Sequence, residues 1–141
     1  MQSSDFEQAV ERSHEAVGAF VTGDSTPLRI LYSVRDDATL ANPFGPPARG
    51  LEQIAEAMER AAANFREGEA IGFERISGYA TSVLGYVVEV ERFRSKLGGA
   101  DEFHEFALRV TSVLRLEGGE WKIVHRHADP ITAPRSAESL L

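Results

Sequence analysis

The feature that most constrains this chain is a strict two-residue alternation over residues 103–116. His104, Phe106, Leu108, Val110, Ser112, Leu114 and Leu116 share one side, while Glu105, Arg109, Thr111 and Arg115 share the other. Successive side chains of a strand point to opposite faces, so this pattern predicts one long strand with an apolar face and a wet one. That is how an antiparallel sheet covered on a single side reads. Gly118-Gly119 then supplies a tight turn into a strand over 121–128. Upstream, residues 83–92 alternate as well, with Leu84, Tyr86, Val88 and Val90 on an apolar side and Glu89 and Glu91 on the other. Here the apolar side is expected to face inward, leaving the two glutamates solvated or in a dimer contact. Residues 71–77 give a weaker strand signal, and Gly98-Gly99 marks a turn.

Helix signals all precede these strands. Ser4 and Glu7 fit a capping box, after which Phe6, Val10, Val17 and Val21 recur at helical spacing until Gly23-Asp24 stops the pattern. Thr26-Pro27 starts a short helix through Leu28, Leu31 and Tyr32. Residues 38–42 form a short strand ended by Pro43, Gly45, Pro46 and Pro47, and a third helix over 51–65 carries Ile54, Met58, Ala61, Ala62 and Phe65 on one stripe. Helices first and long antiparallel strands afterwards predict an α+β domain with its helices on one face of the sheet. The domain covers 1–129, with 130–141 as a tail. A curved sheet of this kind has an open end, which side chains fill or leave as a pocket.

Composition removes several functions. With 15 Lys+Arg against 22 Asp+Glu and a net charge of -7, the chain lacks the basic surface that binds nucleic acid. Zero cysteines exclude a disulfide framework, a thiol nucleophile and cysteine-ligated metal. No apolar run approaches the ~20 residues of a membrane span, and the opening Met-Gln-Ser-Ser-Asp-Phe-Glu does not resemble a signal peptide, so a cytoplasmic protein without membrane contact is expected.

Few residues remain that could carry chemistry. Ser112 sits on the apolar side of the long strand, either bonded locally in the core or lining a pocket. No Gly-x-Ser-x-Gly elbow surrounds it, and neither glycine pair is followed by the helix and lysine of a phosphate loop. His125 and His127 share a side of the last strand, joined by Asp129, with His104 or Glu105 as conceivable neighbours; without a definite third ligand no metal is expected, nor any other cofactor. Arg126 lies on the opposite side with Val124 and Ala128. Only one of these sides can face the helices, and an inward Arg126 would hold an anionic group such as a carboxylate. His14 lies between Val10 and Val17, at the core margin or as an acid–base group. Asp36-Asp37 reads as a solvated turn, and neither it nor Glu89 with Glu91 gives the facing carboxylates of a glycosidase.

Residues 35–47, including Ala38-Thr39-Leu40-Ala41-Asn42-Pro43-Phe44-Gly45-Pro46-Pro47, followed by Gly50 and Glu52-Gln53-Ile54-Ala55, resemble the corresponding stretch of ketosteroid isomerase. Gly118-Gly119-Glu120-Trp121-Lys122-Ile123-Val124-His125-Arg126-His127-Ala128 resembles the SnoaL-like families and the association domain of calcium/calmodulin-dependent kinase II. All belong to the nuclear transport factor 2-like superfamily. The resemblance implies a cone-shaped, cystatin-like fold, with three helices in the concavity of a strongly curved, mixed, mostly antiparallel sheet whose outer face often forms a homodimer. It also implies that Val124, Arg126 and Ala128 face inward. The isomerase's base, tyrosine and acid fall on Asn42, Ala16 and Ser112, so its proton transfer is not reproduced. The arginines of the association domain fall on Ser112 and Ala128.

These expectations combine into a pocket lined by Phe20, Asn42, Phe44, Met58, Tyr86, Ser112 and Arg126 that takes a small, partly apolar molecule. In a catalytic version, an isomerase, cyclase or hydrolase working without a cofactor, His14 or His104 would carry the proton. The alternative is a noncatalytic ligand-binding or association module.

Overall fold

The computed structural model describes residues 4–141. Helices α1 (Asp5–Phe20) and α2 (Thr26–Leu31) come first, then strands β1 (Thr39–Ala41) and β2 (Ala48–Arg49), helix α3 (Gly50–Ala62), and strands β3 (Phe65–Ala80), β4 (Leu84–Leu97), β5 (Phe103–Glu117) and β6 (Glu120–Asp129). The strands form one curved sheet in the order β2-β1-β6-β5-β4-β3, antiparallel except where β1 runs parallel to β6. The expected α+β cone is the fold observed.

Each helix forms for a local reason. The Ser4 hydroxyl accepts the Glu7 N–H at 3.2 Å and caps α1, but the Glu7 carboxylate turns away from the cap to Arg75, so only half of the capping box exists. Phe6, Val10, Val17 and Val21 are all buried, as their spacing predicts. In α3, Ile54, Met58, Ala61 and Ala62 are buried on one stripe, but the helix ends at Ala62 and Phe65 opens β3 instead. β3 is an edge strand twice the expected length. Its charged, mostly exposed side chains hide the alternation, and its register with β4 shifts three times. One of those bulges receives the end of α1. Glu67 takes a positive φ of 55°, Gly68 donates its N–H to the Val21 carbonyl at 3.0 Å, and any Cβ on Gly68 would collide with that oxygen. The buried Ser95 hydroxyl donates to the same carbonyl.

The long strand behaves as its alternation predicts, with Val110, Ser112 and Leu114 buried on the inner face. The neighbouring strand does not. In β4 the buried residues are Gly85, Val87, Glu89, Glu91, Phe93 and Ser95, while Tyr86 is 38% exposed on the outer face. Directly opposed residues of an antiparallel pair share a face, and Val110 opposes Glu89, as Leu108 opposes Glu91. Once β5 turns its even-numbered side inward, β4 must turn in its odd-numbered side, glutamates included. Pairing therefore overrides the apolar count within β4, and the expectation of solvated glutamates is wrong.

Candidate ligand-binding site

The inner wall is more polar than the sequence reading allowed, and each polar group has an identifiable partner. Arg126 comes from β6, where a register shift between Val113 and Leu114 turns it inward beside Ala128. It is 7% exposed and Glu91 is 1% exposed. The two meet fork to fork, Arg126 donating to the Glu91 carboxylate at 2.9 and 2.6 Å. Burial by itself would pull the guanidinium's pKa down; the Glu91 carboxylate, together with Tyr32 and Glu89, outweighs it and raises the pKa above the ordinary arginine value. The expected inward Arg126 is present, but it already holds a carboxylate of its own chain. Glu89, one step along β4, lies 2.8 Å from His14 Nε2 and 3.6 Å from Arg75 Nε, and the His14 ring stacks on Phe73 at 3.9 Å. Tyr32 is buried beside Arg126; its hydroxyl donates to the Thr39 carbonyl at 2.7 Å, and burial pushes its pKa up against the lowering effect of Arg126.

Beside the Arg126–Glu91 pair lies an apolar cleft. Its walls include Val17, Phe20, Leu28, Leu40, Met58, Phe65, Phe93, Phe106 and Leu108, with Asn42, Pro43 and Phe44 on the segment after β1 and Arg126 and Ala128 from β6. The space between atoms is about 510 Å³ counting the mouth, but a water-sized sphere can move its centre through only about 50 Å³ of it. Phe65 stacks on Phe106 with centroids 5.7 Å apart, and Phe20 and Phe44 meet Phe65 edge-on at 6.1 and 5.9 Å. Asn42 is held in a turn, its carbonyl oxygen accepting the Phe44 N–H at 3.0 Å.

Of the residues expected at the pocket, Phe20, Asn42, Phe44, Met58 and Arg126 line the cleft together. Ser112 is buried on the inner face opposite Val87 and Arg126 but is not part of the lining. Tyr86 is on the far side of the sheet. His14 is bound to Glu89 outside the lining, and His104 is exposed near the start of β5, so the two histidines are not brought together. His125 and His127 point outward to different partners, Thr39 Oγ1 at 2.8 Å and Asp129 at 3.0 Å. Among the described residues no group of three or more His, Asp or Glu side chains is placed to hold a metal ion. Sequence reasoning missed Glu91, Glu89 and the strand aromatics Phe65, Phe93 and Phe106.

The sequence pattern of the SnoaL-like domain family matches residues 7–133. The chain belongs to that family. Solved structures agree with this SnoaL-like fold. A nuclear transport factor 2-like superfamily protein from Salmonella enterica serovar Typhimurium superposes with a TM-score of 0.76 at 16% identity, covering 95% of this chain and 94% of the other. A ketosteroid isomerase-like protein from Erwinia carotovora gives 0.72 at 18% identity, over 90% of this chain and 94% of that one. A nuclear transport factor 2-like protein with a cystatin-like fold from Novosphingobium aromaticivorans gives 0.62 at 16%, over 96% and 90%. At such identities the likeness is one of fold, and the SnoaL-like scaffold leaves the chemistry to its side chains. No curated protein matches the chain in sequence. Among the described residues no helix is long and apolar enough to cross a membrane.

Proposed function

We propose that this SnoaL-like protein binds a small, mostly apolar molecule in the cleft between α1, α3 and the inner face of the sheet. The observation that carries the reading is the makeup of the cleft: among the described residues, an aromatic and aliphatic lining interrupted only by Asn42 and Arg126. A catalytic version would need a proton carrier at the guest. By the resemblance to the isomerase its base position falls on Asn42, an amide that cannot act as one, and His14 and His104 are outside the lining, so the reading is one of binding.

Native mass spectrometry of freshly purified protein tests it. A retained small molecule is expected on the wild-type chain and should be lost from Leu108→Trp, which fills the cleft from a half-buried wall position. A molecule retained equally by both would sink the reading.

An association module is the second reading, favoured by the outer sheet face. Tyr79, Tyr86 and Val113 form one row across β3, β4 and β5, with Val88 and Val90 beside it, and Tyr79 is 65% exposed. A homodimer through this face predicts a two-chain sedimentation mass at micromolar concentration that falls to one chain in Tyr86→Glu. A monomeric wild-type protein would remove this reading and leave the ligand-binding one untouched.

A further inference from the structure

Resting on the ligand-binding reading, we infer that the cleft selects a neutral carbonyl compound over a carboxylate, and that Glu91 sets this preference by cancelling the charge of Arg126. Arg126 is the cation of the lining, and an isolated guanidinium there would make the cleft a carboxylate site. It is not isolated. Both terminal nitrogens bind Glu91, and each side chain of the pair is almost wholly removed from water. The second carboxylate of the inner wall, Glu89, faces His14 and Arg75, and Arg75 is bound more closely by Glu7. A carboxylate entering the cleft would lose its hydration and meet a cation whose field is already balanced at contact distance. A neutral guest gives up far less.

The other polar group indicates what the guest presents. The Asn42 oxygen is occupied by the Phe44 N–H, so the end that remains is the NH₂, a donor. Its complement is a hydrogen-bond acceptor, such as the carbonyl oxygen of an otherwise apolar molecule. The room in the cleft limits how much of the guest is enclosed. Only about 50 Å³ is open to a water-sized sphere, so most of such a guest extends through the mouth toward the rim, where Phe44 is 47% exposed.

Heptan-2-one and hexanoate test this directly, since one differs from the other only by a methyl group in place of a charged oxygen on the same chain. Binding of both at pH 7.5 is measured by titration calorimetry and by the shift in melting temperature, for wild type, Glu91→Gln and the double variant Glu91→Gln/Arg126→Met. Wild type is expected to bind the ketone at least about tenfold more tightly than hexanoate. Glu91→Gln frees the guanidinium and should reverse that order, with hexanoate raising the variant's melting temperature. The double variant, which has no charge at either position, should return to preferring the ketone. If Glu91→Gln does not fold alone, refolding in hexanoate but not in the ketone reads the same reversal. Hexanoate binding to wild type as well as the ketone, or an unreversed order in Glu91→Gln, overturns the inference while leaving the cleft a binding site. If wild type binds neither probe yet retains another molecule lost from Leu108→Trp, the carbonyl class is wrong. If nothing binds and nothing is retained, the ligand-binding reading fails with it.

Discussion

Removing Arg126 alone should be among the most damaging single changes in this protein. Arg126→Met leaves the Glu91 carboxylate, whose side chain is 2% exposed, with no positive partner. Breaking a buried pair in this way costs about 3–5 kcal/mol, mostly because an uncompensated charge stays behind. Glu91→Leu should cost a similar amount for the mirror reason. The double variant, by contrast, fills the same space with two apolar side chains and strands no charge, so its stability should lie within about 1 kcal/mol of wild type or above it. The coupling energy of the cycle therefore comes out at several kcal/mol, well beyond the ~0–1 kcal/mol typical of an exposed salt bridge. Urea unfolding provides the measurement. Trp121, the single tryptophan, packs edge-on against Phe6 at 5.3 Å and reports on the junction of α1 with the sheet, while far-UV circular dichroism follows the sheet itself. An Arg126→Met penalty below about 1 kcal/mol, or singles that simply add in the double variant, would mean that water reaches the pair and that charge balance does not govern the inner wall.

Two further outcomes follow from other parts of the fold. Gly85 passes under the ring of Phe6, and a Cβ there would fall within van der Waals distance of that ring and of Ala80, so Gly85→Ala should cost about 1–3 kcal/mol by overpacking. Part of that loss should be recovered by Phe6→Leu in the same chain; a neutral Gly85→Ala would show that α1 sits less tightly than described. His125 has its pKa lowered, first by burial and then by the neighbouring His127, against the raising effect of its bond to Thr39. Its unfolded form then takes up a proton near the ordinary value of about 6.5 while the folded form still resists, so acidification through and below that pH should cost stability. Equilibrium unfolding of wild type and His125→Asn between pH 8 and pH 5 should show the steeper fall in wild type, and parallel curves would refute the assignment.

How far the site was legible in the sequence is decided at three places where strands are paired. The alternation of β5 fixed its inner face correctly, and the apolar stripes of α1 and α3 placed Phe6, Val10, Ile54 and Met58 in the core, because burial of one face imposes that period on the residues themselves. Judged by its own side chains, β4 pointed the wrong way, since Leu84, Tyr86, Val88 and Val90 are more apolar than the side holding Glu89 and Glu91. The hairpin contained the missing information. Lys96 opposes Phe103 with an even number of residues between them, so even positions of β5 must face odd positions of β4. The turn into β6 repeats that parity, Leu116 opposing Trp121 and Leu114 opposing Ile123. Continued regularly, it would have brought His125 and His127 inward. The register shift at Val113/Leu114 reverses it, and no side chain advertises that shift. Only the family resemblance indicated that Arg126 faces in. The parallel pairing of β1 with β6 and the meeting of Phe65, Phe93 and Phe106 from three strands are likewise nonlocal, and no window of sequence contains them. Yet the two hidden features imply each other. A guanidinium turned into an apolar cone requires a carboxylate on the same wall, and a carboxylate forced inward by its hairpin requires a cation. Either one alone would carry a heavy desolvation cost, so an inward Arg126 already called for an inward glutamate on a nearby strand, and Glu89 and Glu91 are the acidic side chains in the middle of β4, one strand removed from β6 across β5.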